Sequence, residues 1–142
     1  MGTRGRVGIR NNDGSVTSIY NHWDSYPSGL GKILLDNYTD EKKVRELIAL
    51  GDCSSIREEV APPRGTSHSF DNPLGNVTVA YGRDRNETDV DARTDNSEEE
   101  YYGNYHDEEY MYLFADGKWL MKECGSKSAP KVLTEKVCMD DE

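Results

Sequence analysis

The chain has 142 residues and a formal net charge of −10, with 17 basic against 27 acidic side chains, 35% hydrophobic and 31% charged residues. Such a length suits one domain with a single modest core, and no apolar run approaches the roughly 20 residues of a membrane-spanning helix. The acidic balance excludes a nonspecific nucleic-acid binder, whose affinity comes from clustered Lys and Arg releasing counterions, so neither direct nucleic acid nor a membrane is an expected partner.

The first ten residues carry Arg4, Arg6 and Arg10 and no acid. No apolar stretch follows these charges, so no signal peptide or anchor is read and a cytoplasmic location is expected. Arg6–Arg10 alternates polar and apolar, Asn11–Ser15 is a turn cluster, and Val16–Tyr20 is β-branched and aromatic. These residues predict a β-hairpin. The run from Ser18 to Gly31 then breaks from strand character into aromatic, ionisable and glycine-rich residues before a helix over Gly31–Tyr38. A second helix is predicted behind Thr39 or Asp40 as N-cap, with Val44, Leu47, Ile48 and Leu50 as its stripe and Gly51 as its stop.

The middle of the chain, around Ala61–Ser67 and Asp71–Asn76, reads as loop, and Val77–Tyr81 as a strand ending in Gly82-Arg83-Asp84-Arg85. Asn86–Asn96 has almost nothing to bury and is expected to be a solvated loop. Glu109–Phe114 and Lys118–Lys122, joined through Asp116-Gly117, predict a second hairpin. Lys131–Met139 fits either an edge strand or a short helix. The expected fold is a single α+β domain over 1–142, with a mainly antiparallel sheet built from hairpins and two short helices packed on one face.

Charge is unevenly placed. Between Asp84 and Glu109 eleven acidic residues face two basic ones, so this loop-rich segment carries −9 of the formal −10, and a short acidic tail closes the chain at Asp140-Asp141-Glu142. Cys53, Cys124 and Cys138 are odd in number and widely spaced, which argues against a disulfide framework or a self-contained zinc site. His22, His68 and His106 are equally scattered. No metal or other cofactor is expected.

The pattern Thr3-Arg4-x-x-Val7-Gly8-Ile9, then Ser18-Ile19-Tyr20-x-His22-Trp23-Asp24-x-Tyr26-Pro27-x-Gly29-x-Gly31, then Val44-x-x-Leu47-Ile48-x-Leu50-Gly51-Asp52-x-Ser54-Ser55, resembles a family of small proteins encoded by bacteriophages and prophages, a family without an assigned activity. The resemblance covers most of the chain. It departs at Asn21, where many relatives carry Cys, which weakens any thiol chemistry at that position. It implies a phage accessory protein acting in the host bacterial cytosol, where proteins of this size commonly oppose host defences.

Three functions compete on these residues. The leading one is a non-catalytic inhibitor of a host antiviral defence protein, which meets a basic surface through Asp89, Asp91, Asp95, Glu98, Glu99, Glu100, Tyr101 and Tyr102, with electrostatic steering making capture fast and salt-sensitive. The alternative is a sponge for a nucleotide-derived immune signal of cyclic nucleotide or ADP-ribose type. In it, Tyr20, His22, Trp23 and Tyr26 stack a base, Arg4, Arg83 and Arg85 hold phosphates beside Asp24, and amides near Gly31 add to the cradle. The third is a nucleotide-degrading enzyme using His22 and Asp24 as an acid/base pair, ranked last because no nucleophile, metal cluster or second base has recognisable spacing. A homo-oligomer through an exposed hairpin edge is compatible with all three.

Overall fold

The structure, a computed structural model, describes residues 3–140. The N-terminal hairpin forms as expected from Gly5–Arg10 (β1) and Val16–Asn21 (β2), with Val7 opposite Ile19. Because side chains alternate along a strand, Val7, Ile9 and Ile19 enter one face and Arg6, Gly8 and Arg10 lie on the other. The connecting turn closes by an Asn11 N–H donating to Ser15 O at 2.7 Å, with Gly14 at φ +89°.

Pro27–Gly31 forms a single π-helical turn that runs directly into α1 (Lys32–Asn37), and α2 spans Glu41–Ala49. Asp40 caps α2, its side chain accepting from the Lys43 N–H at 2.9 Å. Leu34 of α1 and Val44, Leu47 and Ile48 of α2 pack against Val7, Ile9 and Ile19. Gly51 ends this pair of helices at φ +80°, and a side chain there would approach Val90 O to 2.3 Å, so both backbone angle and space require glycine.

Beyond Gly51 come Cys53–Ser55 (β3), Val79–Ala80 (β4), Tyr81–Arg85 (α3), Arg93–Asp95 (β5), Glu98–Gly103 (α4), Tyr110–Ala115 (β6), Lys118–Glu123 (β7), Lys131–Val132 (β8) and Glu135–Asp140 (α5). Among the described residues the strands make one eight-stranded sheet in the order β4-β3-β2-β1-β6-β7-β8, with β5 alongside the first half of β2. The α+β class is as expected. The sheet is mixed, however: β1 pairs parallel with β6, and β2 meets β3 in parallel at Asn21 and Cys53. The two hairpins are joined through β1 and β6, whose common direction is fixed by a crossover that no local pattern announces.

Three further expectations need correction, and one left open is resolved. Only Val79–Ala80 of the strand read at Val77–Tyr81 pairs as a strand, because the Asp84 carboxylate accepts from the Ala80 N–H at 2.8 Å and winds Tyr81–Arg85 into a helical turn. Arg93–Asp95, read as solvated loop, pairs with β2. A helix unforeseen in the acidic stretch, α4, starts where Ser97 Oγ accepts from the Glu100 N–H at 3.1 Å, with Glu98, Glu99 and Glu100 in the first turn where carboxylates favour the helix dipole. It covers the second sheet face, so the helices are not confined to one side. Lys131–Met139 divides between both options, β8 and then α5; Asp141 and Glu142 of the acidic tail lie outside the described residues.

The second face carries a smaller core of Val16, Met111, Leu113 and Ala115 under Tyr101 and Tyr102. Tyr101 reaches over Gly8, where an added Cβ would lie 3.1 Å from the tyrosine ring, and its hydroxyl donates to Tyr112 O at 2.6 Å. Arginines from the start of the chain flank this contact, and each meets a carboxylate of the acidic segment. Arg10 pairs with Glu98 at 3.0 Å, Arg6 with Glu108 at 3.4 Å and Arg4 with Asp107 at 3.2 Å. The middle pair is buried, and Arg6 also donates to Ser18 Oγ and Ser18 O.

Burial alone pushes the Glu108 carboxyl up, but the His106 and Glu108 N–H groups and Arg6 outweigh it and hold it below its ordinary 4.5. A depressed carboxyl contributes stability that is complete above its unfolded value and is lost as the pH falls. Glu108→Ala, which strands the buried Arg6, is therefore expected to destabilise the protein by about 3 to 5 kcal/mol near neutral pH. Thermal melts should also show a shallower acid-induced fall below pH 4.5 in this variant than in the parent.

Candidate functional site

At the end of β2 the chain leaves the sheet through a tightly bonded corner. His22 and Trp23 N–H groups donate to Cys53 O and Ser54 O at 3.1 and 3.0 Å. The fully buried Asn21 amide ties three segments together: Nδ2 donates to Trp23 O and to Ser25 Oγ, both at 2.8 Å, and Oδ1 accepts from the Ile56 N–H at 3.0 Å. Asp24 adopts φ +58°, a left-handed conformation that Asp tolerates, and its carbonyl accepts from the Leu30 N–H at 2.9 Å. The backbone is thus held while Trp23 stays 44% exposed, beside the edge of the His22 ring at 4.8 Å.

In front of Trp23 lies an open groove of about 360 Å³. Trp23 and Asp24 form one wall, Ser54 and Ser55 of β3 contribute polar atoms, and Arg57, Phe70, Pro73 and Val79 complete it. Arg57 is oriented by its Nε on Ser55 Oγ (3.4 Å) and its Nη1 on Leu74 O (2.9 Å), and no carboxylate pairs with it among the described residues. Phe70 is tilted against Tyr81 at 6.0 Å, with the Arg85 guanidinium 4.4 Å from its ring centre.

The loop that brings Arg57, Phe70 and Pro73 to the groove is anchored by a buried histidine. His68 Nδ1 accepts from the Leu74 N–H at 3.0 Å, which puts the ring proton on Nε2, where Thr78 O lies at 3.1 Å and Asp84 Oδ2 at 3.3 Å. Burial pushes the Asp84 carboxyl up, yet Arg83 and the Ala80 N–H bring it below its ordinary value. Arg83 itself is occupied: it pairs with Asp84 and donates to Val60 O and Thr78 O at 2.6 and 2.7 Å. Arg83 thus ties loops together and does not enter the groove.

Of the ligand-binding residues expected from sequence, Trp23 and Asp24 line the groove. Tyr20 and His22 stand behind it, joined by a 2.8 Å hydrogen bond from Tyr20 Oη to His22 Nδ1, and Tyr26 bonds the Asp24 carboxylate at 3.4 Å. Desolvation, then Arg4, push the His22 imidazole below its ordinary value. The His22–Asp24 acid/base pair does not form, because each side chain is matched to a neighbouring tyrosine. Arg4 is paired with Asp107, and Arg85 with Glu87 while lying over Phe70 and Tyr81. The amides at the helix start are engaged as well: the Gly29 and Gly31 N–H groups donate to Tyr26 O. Gly29 serves the tight turn, where a Cβ would come within 2.6 Å of Asp24 O.

The acidic segment also departs from expectation. Tyr101 and Tyr102 are buried in the second core, and Asp95 is buried against Arg93 and Asn104, so none of the three faces a partner. Glu98 is held by Arg10. Asp89, Asp91, Glu99 and Glu100 remain exposed and outside every ion pair among the described residues. No helix there is long and apolar enough to cross a membrane, and no group of three or more His, Cys, Asp or Glu is placed to hold a metal ion. The three cysteines are free; burial pushes their thiols up, that of Cys124 to about 12.

The chain matches no family model, no curated protein and no solved structure. Arg57, Phe70 and Pro73 were not singled out from sequence, although the small polar run Ser54-Ser55, three residues past the Gly51 helix stop, marks a strand arriving beside Trp23. Asn21→Ala should cost about 2 to 3 kcal/mol, since it leaves the buried Ile56 N–H without its acceptor. Thermal unfolding checks this, and Trp23 fluorescence in the folded variant should shift toward a more mobile, solvated indole.

Proposed function

We propose that the protein works by binding rather than by catalysis, and that it holds a planar anionic ligand of the nucleotide kind in the Trp23 groove. The observation that carries this reading is the meeting, in one groove, of an exposed tryptophan fixed by Asn21 with an oriented arginine that has no carboxylate partner among the described residues. An aromatic face stacks any base, at about 1 to 3 kcal/mol per base, and a guanidinium takes phosphate oxygens in bidentate fashion. Taken with the phage-family resemblance, this favours a sponge that withdraws a nucleotide-derived immune signal in the host cytosol, without a cofactor. Calorimetry with cyclic dinucleotides, ADP-ribose and mononucleotides should find a binder whose affinity drops by about tenfold or more in Trp23→Ala. Chromatography should return that ligand chemically unchanged. Silence across the panel, or consumption of the ligand, overturns the reading.

A second reading, an inhibitor that grips a basic surface of a host defence protein, is favoured by Glu99 and Glu100, which α4 presents exposed and unpaired beside the Arg10–Glu98 pair. It is the narrower claim, because six carboxylates of the acidic segment are matched by arginines of the chain itself. If it holds, Glu99→Gln/Glu100→Gln weakens capture of a host protein from lysate and flattens the salt dependence of that capture. Capture unchanged in the double variant removes it.

A further inference from the structure

We infer that the Trp23 groove selects guanine among the nucleobases, a conclusion that rests on the nucleotide-binding reading above. Asp24 follows Trp23 in the chain and lines the same groove, with Arg57, Ser54 and Ser55 among its other lining residues. Among the described residues the Asp24 side chain has no ion pair and accepts one hydrogen bond, the long 3.4 Å contact from the Tyr26 hydroxyl, so its oxygens retain acceptor capacity. A carboxylate accepts and cannot donate, which discriminates sharply between base edges. Guanine alone presents two adjacent donors on its pairing edge, N1–H and N2–H, and these match the two oxygens of one carboxylate. Adenine and cytosine each turn a bare ring nitrogen toward the same oxygens, and uracil flanks its single N–H with two carbonyls, so each brings acceptor against acceptor.

The remaining groups fit the rest of a guanine nucleotide. Trp23 supplies the stacking face, with Phe70 and Pro73 as further apolar lining, and the volume of about 360 Å³ falls in the range of sites for small ligands. Arg57, held through Nε and Nη1, keeps Nη2 for a phosphate oxygen; the Ser55 hydroxyl stands beside it, and Ser54 lines the same groove. The two charges therefore have separate tasks: Asp24 reads the base and Arg57 holds the phosphate. Asp24 also lies in a left-handed backbone conformation that Asn adopts equally well, so the carboxylate can be neutralised without disturbing the turn.

The test is a calorimetric titration of the whole protein with GMP, AMP, CMP and UMP, repeated on Asp24→Asn and Arg57→Ala, with thermal melts as folding controls. GMP is expected to bind at least about tenfold tighter than AMP, the scale set by one bidentate contact to a base edge. Asp24→Asn should erase that preference by weakening GMP while leaving AMP, CMP and UMP bound at least as well as before, because the amide supplies a donor that the carboxylate lacks. Arg57→Ala should weaken GMP far more than guanosine, which lacks the phosphate. Equal affinity for the four nucleotides, or a guanine preference that survives Asp24→Asn, overturns the inference while leaving the nucleotide reading standing. Absence of binding by any nucleotide overturns both. Should Asp24→Asn melt early, Tyr26→Phe, which frees Asp24 of its contact and should sharpen the GMP preference, decides in its place.

Discussion

Strand β1 runs through the middle of the sheet with Arg6 and Arg10 on one face, either side of Gly8, and the fold depends on what answers those charges. Arginines cannot be sealed under a helix unless carboxylates accompany them. Residues 98–108 supply them, as Glu98, Asp107 and Glu108, and Tyr101 closes over Gly8 between the charged pairs. Of the acid that looks from sequence like a surface made for a foreign basic partner, Glu98, Asp107 and Glu108 are counter-charges for the arginines at the start of the chain, and Asp84, Glu87 and Asp95 for Arg83, Arg85 and Arg93. Electrostatics and packing are inseparable here: the tyrosine can reach the sheet only because position 8 has no side chain, and the carboxylates reach the arginines only because the tyrosine has docked.

Local patterns disclosed what local physics determines. The β1–β2 hairpin, the Asp40-capped helix and the β6–β7 hairpin with its Asp116-Gly117 turn all carry their reason within a dozen residues, as alternation, cap or turn chemistry. Helix α4 was hidden because it has two adjacent tyrosines instead of a repeating stripe, and its six residues hold together through Ser97 and the sheet beneath. Arg93-Thr94-Asp95 contains no apolar residue at all and becomes a strand only because β2 has an open edge. The parallel contact of β1 with β6 joins residues about a hundred positions apart, which periodicity cannot reveal.

The groove shows the same division. Trp23 and Asp24 were legible, since a strand breaking into aromatic and turn residues marks a rim. Arg57, Phe70 and Pro73 belong to a segment whose path is fixed by side chains: the His68 ring bridging Leu74 and Thr78, and Arg83 holding Val60 O. Arg83, read as a ligand-gripping arginine, fastens loops through Val60 O and Thr78 O, and Arg4 and Arg85 are paired with Asp107 and Glu87, while Arg57, which lines the groove, had no distinguishing pattern. The distinction between a charged residue that holds the fold and one that faces outward is decided by partners, and partners are a property of the tertiary structure.

The central place of β1 has a consequence for how the polypeptide matures. Its neighbour on one side, β2, is available almost at once, but the neighbour on the other side emerges only after about a hundred more residues have been synthesised. Until then a half-finished sheet presents a raw hydrogen-bonding border to its surroundings, and contacts of such large sequence separation are slow to form. Arg6 and Arg10, on one face of β1, have to wait as long for Glu108 and Glu98, so the pairing of the sheet and the pairing of its charges are completed by the same late segment.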